Sequence, residues 1–287
     1  MKNSSSTSRR TLIKSSVFGL MAVSIHSIGF AKKIIETDLA DTVTDKPHAR
    51  YPAISDDMVS AVVGASHFNL DKVKELVNLR PELSRATWDW AFGDFETALG
   101  AASHVGRRDI AEFLMSKGAR PDIFTYAMFG AYDAVKAMIE TTAGIQSIAG
   151  PHGISLLQHV KNGMRSDGLS EKNKEDLKKL SDYLEQLGNA DVNEKYVSYT
   201  EIEAQQYLGD YKYGKGPDDG FSIKMNMRKM ISLGKLGTFG GGLYKKGNNV
   251  YTYNGVPSVE ISFTVINDKV ISLTIHEPGL SLTAKKI

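Results

Sequence analysis

Residues 97–122, TALGAASHVGRRDIAEFLMSKGARPD, carry two helix patterns back to back. Ala101 and Ala102 are small enough to let two helices approach closely, and Gly106 and Gly118 supply the positive φ angles that end each helix. Ile110, Phe113 and Leu114 recur at i, i+3 and i+4, which makes one buried stripe. The same small and apolar positions, with Ser-His in register, occur 37 residues earlier in AVVGASHFNLDKVKELV (61–77). IFTYAMFGAYDAVKAMI (123–139) matches at a tighter offset, and ISLLQHVKNG (154–163) with DLKKLSDYLEQLG (176–188) makes a looser fourth copy. Repetition of this kind predicts a solenoid of about four stacked helix pairs over residues 55–190.

The second copy resembles the ankyrin repeat. Thr97, Leu99, Ala101 and Ala102 match its first helix and Gly106 the end of that helix; Asp109, Ile110, Ala111, Phe113 and Leu114 match the second, and Gly118-Ala119 its close. The sequence departs from the pattern at Gly100, where ankyrin has His, and at Phe95, where its finger loop has Gly. The resemblance implies a protein that binds another protein through finger loops and a concave helix face. TWDWAFGDF (87–95), which holds both tryptophans, falls on such a finger. The protein-binding residues it suggests are Trp88, Trp90, Phe92, Phe95, Phe124, Tyr126 and Phe129, since stiff aromatic rings make good anchors. The alternative is that these rings pack on one another and enlarge a small core.

From about residue 199 the period changes to two. VEISFTVINDKVISLTIHE alternates Val259, Ile261, Phe263 and Val265, turns at Asn267-Asp268, and resumes with Ile271, Leu273 and Ile275, the pattern of a β-hairpin. LYKKGNNVYTYNG reads as a second hairpin. Residues 199–287 are therefore expected to form an antiparallel β-barrel or sandwich. YLGDY (207–211), the closing hairpin and the ending LTAKKI resemble the lipocalin-like β domain that follows serine β-lactamase-like hydrolases. That resemblance implies a barrel able to enclose a small apolar ligand, lined by Tyr211, Tyr213, Tyr251 and Tyr253, or a hydrolase accessory role. A barrel filled by its own side chains is the competing expectation. The fold class read from the sequence is thus multidomain α plus β, an all-α ankyrin solenoid followed by a small antiparallel β domain, with 191–198 as linker.

Residues 1–31 read as an address. Ser8-Arg9-Arg10 ahead of an apolar, small-residue run resembles a twin-arginine export signal, implying a periplasmic or secreted protein without a stable membrane span once the signal is removed. Residues 32–54 read as a polar lead-in. The segment 1–31 holds four basic residues and no acid, so its loss takes the net charge from +2 to −2 and removes any charge-based case for nucleic acid. The absence of cysteine excludes disulfides, thiolate catalysis and thiolate-ligated metals.

Few other motifs carry chemistry. SLGK (232–235) has the Ser-x-x-Lys spacing but lies between strands, and GDYKYGKG (209–216) lacks the Ser or Thr that a phosphate loop needs. His67 and His104 take equivalent repeat positions, where bonding to backbone or facing solvent is the favoured reading over metal binding. His152 and His159 have no carboxylate at helical spacing to complete a metal set. No metal, no cofactor and no catalytic constellation is expected, and non-catalytic protein binding is the leading functional expectation.

Overall fold

A computed structural model describes residues 47–191 and 196–287; the expected export signal (1–31) and most of the expected lead-in lie outside them. Eight helices come first: α1 (Asp56–Ala65), α2 (Leu70–Leu79), α3 (Ala98–Val105), α4 (Arg108–Ser116), α5 (Ile123–Phe129), α6 (Tyr132–Thr141), α7 (Leu156–Gly163) and α8 (Glu171–Leu187). Between α2 and α3 runs a hairpin of β1 (Thr87–Asp89) and β2 (Phe95–Thr97). A short helix α9 (Glu201–Gln205) leads into β3 (Gly209–Lys212), β4 (Gly220–Met225), β5 (Ile231–Lys235), β6 (Gly241–Gly247), β7 (Val250–Tyr253), β8 (Glu260–Ile266), β9 (Lys269–Glu277) and β10 (Leu280–Lys286).

The helix ends follow the local chemistry. Thr97 caps α3 by accepting from the Gly100 N–H at 2.8 Å, and Asp122 caps α5 by accepting from the Thr125 N–H at 2.9 Å. Gly106 and Gly130 end those two helices at φ 79° and 72°.

The arrangement of the helices overturns the expected ankyrin solenoid. In a linear stack each repeat touches only its neighbours. Here α3 packs against α7 as well as α5. The carbonyls of His104 and Gly106 at the end of α3 accept hydrogen bonds from Asn162 and Ser166 at the end of α7. The helices also differ in length, from 7 residues in α5 to 17 in α8. They form two clusters, one around Val62, Leu76, Ile110 and Leu114 and one around Ile123, Leu156, Leu177 and Leu184. The sequence periodicity is that of amphipathic helices, which this packing satisfies without a repeat array. None of the helices in the described residues is long and apolar enough to cross a membrane.

The β half closes into a barrel, β10-β3-β4-β5-β6-β7-β8-β9, antiparallel throughout. The predicted turn at Asn267-Asp268 has φ 48° and 60°, a left-handed pair that suits a two-residue hairpin. A register shift between Thr264 and Val265 changes the alternation, so Ile271 faces outward while Val270, Leu273 and Ile275 face the core. Tyr207, Tyr211, Tyr251 and Phe263 pack ring against ring in the barrel core, with centroids 4.7–6.1 Å apart. These side chains occupy the interior that an apolar ligand would need.

The α5–α7 approach is a sharp point in the packing. A Cβ on Gly163 would lie 2.1 Å from the Met128 carbonyl oxygen, backbone that cannot swing aside. Gly163→Ala should therefore destabilise the fold by about 1–3 kcal/mol despite alanine's better helix propensity. Urea unfolding of the two proteins measures it, and equal midpoints would refute this close-packing account.

Candidate metal centre

The aromatic stretch 87–95 and the two residues after it form the β1–β2 hairpin. Its loop is held by the Trp90 N–H to the Asp94 carbonyl (3.2 Å), the Asp94 N–H to the Ala91 carbonyl (3.0 Å) and the Gly93 N–H to the Asp89 carboxylate (3.1 Å). Phe92 and Gly93 take left-handed φ values of 58° and 82°, which turns the chain sharply. In β2 the strand alternation exposes Phe95 and Thr97 and buries Glu96 completely. The Trp90 indole N–H donates to Glu96 Oε2 at 2.7 Å.

Three imidazoles surround the other side of that carboxylate. His67 follows α1, His104 lies in the last turn of α3, and His152 sits in a short 3₁₀ helix, Pro151–Gly153, at a left-handed φ of 58°. His104 Nε2 is 3.0 Å and His152 Nε2 3.4 Å from Glu96 Oε1, and His67 Nε2 is 3.4 Å from Oε2. One ligating atom from each of the four residues can be chosen so that all lie within 4.8 Å of one another.

The outer edges of two rings are pinned. His67 Nδ1 is 3.1 Å from the Gly64 carbonyl, and His152 Nδ1 is 2.7 Å from Asp94 Oδ2. Both partners only accept, so each Nδ1 donates and each Nε2 edge faces inward, where it offers a lone pair when the ring is neutral. Asp94 also accepts from the His152 backbone N–H at 2.9 Å, so it clamps this residue by main chain and ring together. From the barrel, Asn254 donates to Asp94 Oδ2 at 2.7 Å and the Tyr244 hydroxyl donates to the His152 carbonyl at 2.9 Å. A carboxylate–histidine pair of this kind is the usual outer support of a metal-bound imidazole.

The electrostatics are unusual for a structural cluster. Glu96 Oε1 and His104 Nε2 are buried without a hydrogen-bond partner although they face each other. Burial opposes a charge on Glu96, but the neighbouring His104, His152 and His67 outweigh it and hold the carboxyl well below its usual range. Burial also depresses His104, to about 4, against the pull of Glu96. At His152 burial is overcome by Asp94 and Glu96, which raise it to about 10. Without another cation, the imidazolium of His152, which lies between Asp94 and Glu96, offsets the charge of only one of the two carboxylates.

A transition-metal ion fits the same donors. Bonds of about 2.0–2.2 Å to nitrogen and oxygen place tetrahedral ligand atoms about 3.3–3.6 Å apart; His104 and His152 lie 3.0 and 3.4 Å from Glu96 Oε1, and the four ligating atoms together span up to 4.8 Å, so binding would draw the set inward. Imidazole and carboxylate together suit zinc, iron, manganese, cobalt or copper.

The sequence-suggested residues are dispersed by comparison. Trp88 and Trp90 pack on the first helical core and Phe92 on the barrel, its ring 5.0 Å from that of Tyr253. Phe124 is buried against His159, Tyr126 is half-buried on the second helical core, and Phe129 lies half-buried under the Arg108 guanidinium. Phe95 is the one ring of the seven that is well exposed, at 64%. Of the tyrosines proposed to line a ligand cavity, Tyr211, Tyr251 and Tyr253 are buried and Tyr213 is exposed. His152 and His159 do not form a pair: His159 turns its Nδ1 to the Ser155 carbonyl at 2.8 Å. His67 does bond backbone as expected, but it also joins His104 and Glu96, the residue that no local spacing revealed. The one hint was that His67 and His104 occupy matching positions on helices that pack side by side.

His159 gives a pH test separate from the centre. Burial lowers it to about 4, against smaller upward contributions from the Ser155 carbonyl and Glu96. With its folded pKa below the unfolded value, the unfolded chain binds the proton first, so stability falls as pH drops from about 6.5 towards 4. His159→Asn, which can keep the bond to Ser155, should remove about 2 kcal/mol of the stability loss between about pH 7.5 and pH 5. Denaturation at both pH values checks this; an unchanged pH dependence in the variant would rule it out. Compared with known proteins, the chain matches no protein-family model, no curated protein and no solved structure, so neither the ankyrin nor the lipocalin-like resemblance is supported by a family.

Proposed function

We propose that the chain is a metal-binding protein whose functional site holds one divalent first-row transition-metal ion on Nε2 of His67, His104 and His152 and on Oε1 of Glu96. The observation that carries this reading is the convergence of four metal-ligating side chains, in which Glu96 Oε1 and His104 Nε2 are buried without a hydrogen-bond partner. Such a set is repulsive unless a cation or proton lies within it. The outer supports of His67 and His152 add to the reading, because they hold the Nε2 edges of both rings facing inward before any ion arrives.

The other functional readings have less support. Ligand binding inside the barrel must contend with the rings that pack its core, and protein binding through the aromatic residues has Phe95 as its exposed anchor. Export directed by the Arg9-Arg10 segment is compatible with a metal protein, since a folded chain could carry its ion across a membrane.

The test is zinc titration of the chelator-treated full chain by calorimetry, with elemental analysis of the metal retained. One ion per chain is expected. His104→Ala, which removes the most buried of the three ligand imidazoles, should weaken binding by more than about 100-fold, beyond the range for outer supports. No binding, or equal binding by a folded His104→Ala protein, would defeat the proposal.

Asn254 offers a second measurement from the barrel side. Asn254→Ala leaves all four ligands in place but frees Asp94 from its barrel partner. Zinc affinity should fall about 10–100-fold, the usual cost of losing an outer hydrogen bond. An unaltered affinity would mean that the barrel does not support the centre.

A further inference from the structure

Access to the four donors is uneven. Glu96 has no exposed side-chain surface and His104 has 8%, whereas His67 has 21% and His152 19%. For His152 the Nδ1 edge is covered by Asp94 and Asn254, both buried, so the exposed part of the ring lies towards its other edges. Trp90 stands beside both exposed rings, 6.1 Å from His67 and 6.3 Å from His152. The donor set therefore has a sealed back, made of Glu96 and His104, and a front that reaches solvent between His67, His152 and Trp90.

Trp90 also limits how the carboxylate can bind. Its N–H holds Glu96 Oε2, so Oε1 is the oxygen left to ligate. Three nitrogens and one oxygen then make four protein bonds. Four protein ligands are the number found in closed structural zinc sites, so a further ligand here enters as a fifth, the expansion that zinc undergoes in catalytic sites.

Resting on the metal reading above, we infer that the bound ion keeps an exchangeable coordination position on the His67–His152 side, filled by water or a small anion. An ion with two positive charges, one ligating carboxylate and neutral imidazoles keeps one positive charge among its ligands, with the Asp94 carboxylate behind the Nδ1 edge of His152, away from the open front. It attracts small oxygen- or nitrogen-donor anions and acidifies a bound water, the basis of Lewis-acid chemistry.

Cobalt(II) makes both inferences visible, because its visible absorption reports its ligands. The full chain is stripped of metal, loaded with one equivalent of cobalt and titrated with azide, with bound cobalt measured after gel filtration. The expected result is a cobalt spectrum that azide shifts in a saturable way while the cobalt stays bound. A cobalt spectrum indifferent to azide would overturn the open position and leave the metal site standing. Release of cobalt by azide would also overturn it. Failure of cobalt to bind at all would overturn the metal reading together with this one.

Discussion

The carboxylate of Glu96 is the constraint around which the molecule is organised. Removing an ionised carboxylate wholly from water costs several kcal/mol unless charges and hydrogen bonds meet it. Trp90 supplies a hydrogen bond, and His67, His104 and His152 supply the rest of the surroundings. Those partners come from the hairpin, from the end of α1, from α3 and from the 3₁₀ turn before α7. Holding them on one carboxylate ties these parts of the chain to a single arrangement.

The β1–β2 hairpin is also the joint between the helical half and the barrel. Trp88 and Trp90 pack on the first helical core, and Ala91 and Phe92 pack on the barrel core. Asp94, at the tip, clamps His152 and accepts from Asn254. Both His152 and Asn254 have positive φ, at 58° and 46°. Non-glycine residues hold that conformation at a cost, and they tend to do so where the surroundings fix a functional geometry.

The barrel has a corresponding place. Closure removes free strand edges, and its core is packed by tyrosine and phenylalanine rings rather than left hollow. What it contributes is a wall: the β6–β7 end presents Tyr244 and Asn254 to His152 and Asp94. The close fit at this seam shows at Gly153, where a Cβ would lie 2.8 Å from the Asn254 carbonyl oxygen.

By itself the sequence determined the local structure: where the helices lie, where Gly106 and Gly118 end them, and the change to period two near residue 199. It also placed the Asn267-Asp268 turn, because each of these depends on residues within a turn or two along the chain. The repeat pattern misled, since amphipathic spacing records which face of a helix is buried but not which helix buries it; the contact of α3 with α7 is what departs from a linear stack. The centre was legible only as a pair of matching histidines. Glu96 and His152 joined them through packing between segments far apart in the chain, and convergence of that kind leaves no spacing to read. Tertiary structure alone decided that an aromatic hairpin would bury an acid against three imidazoles.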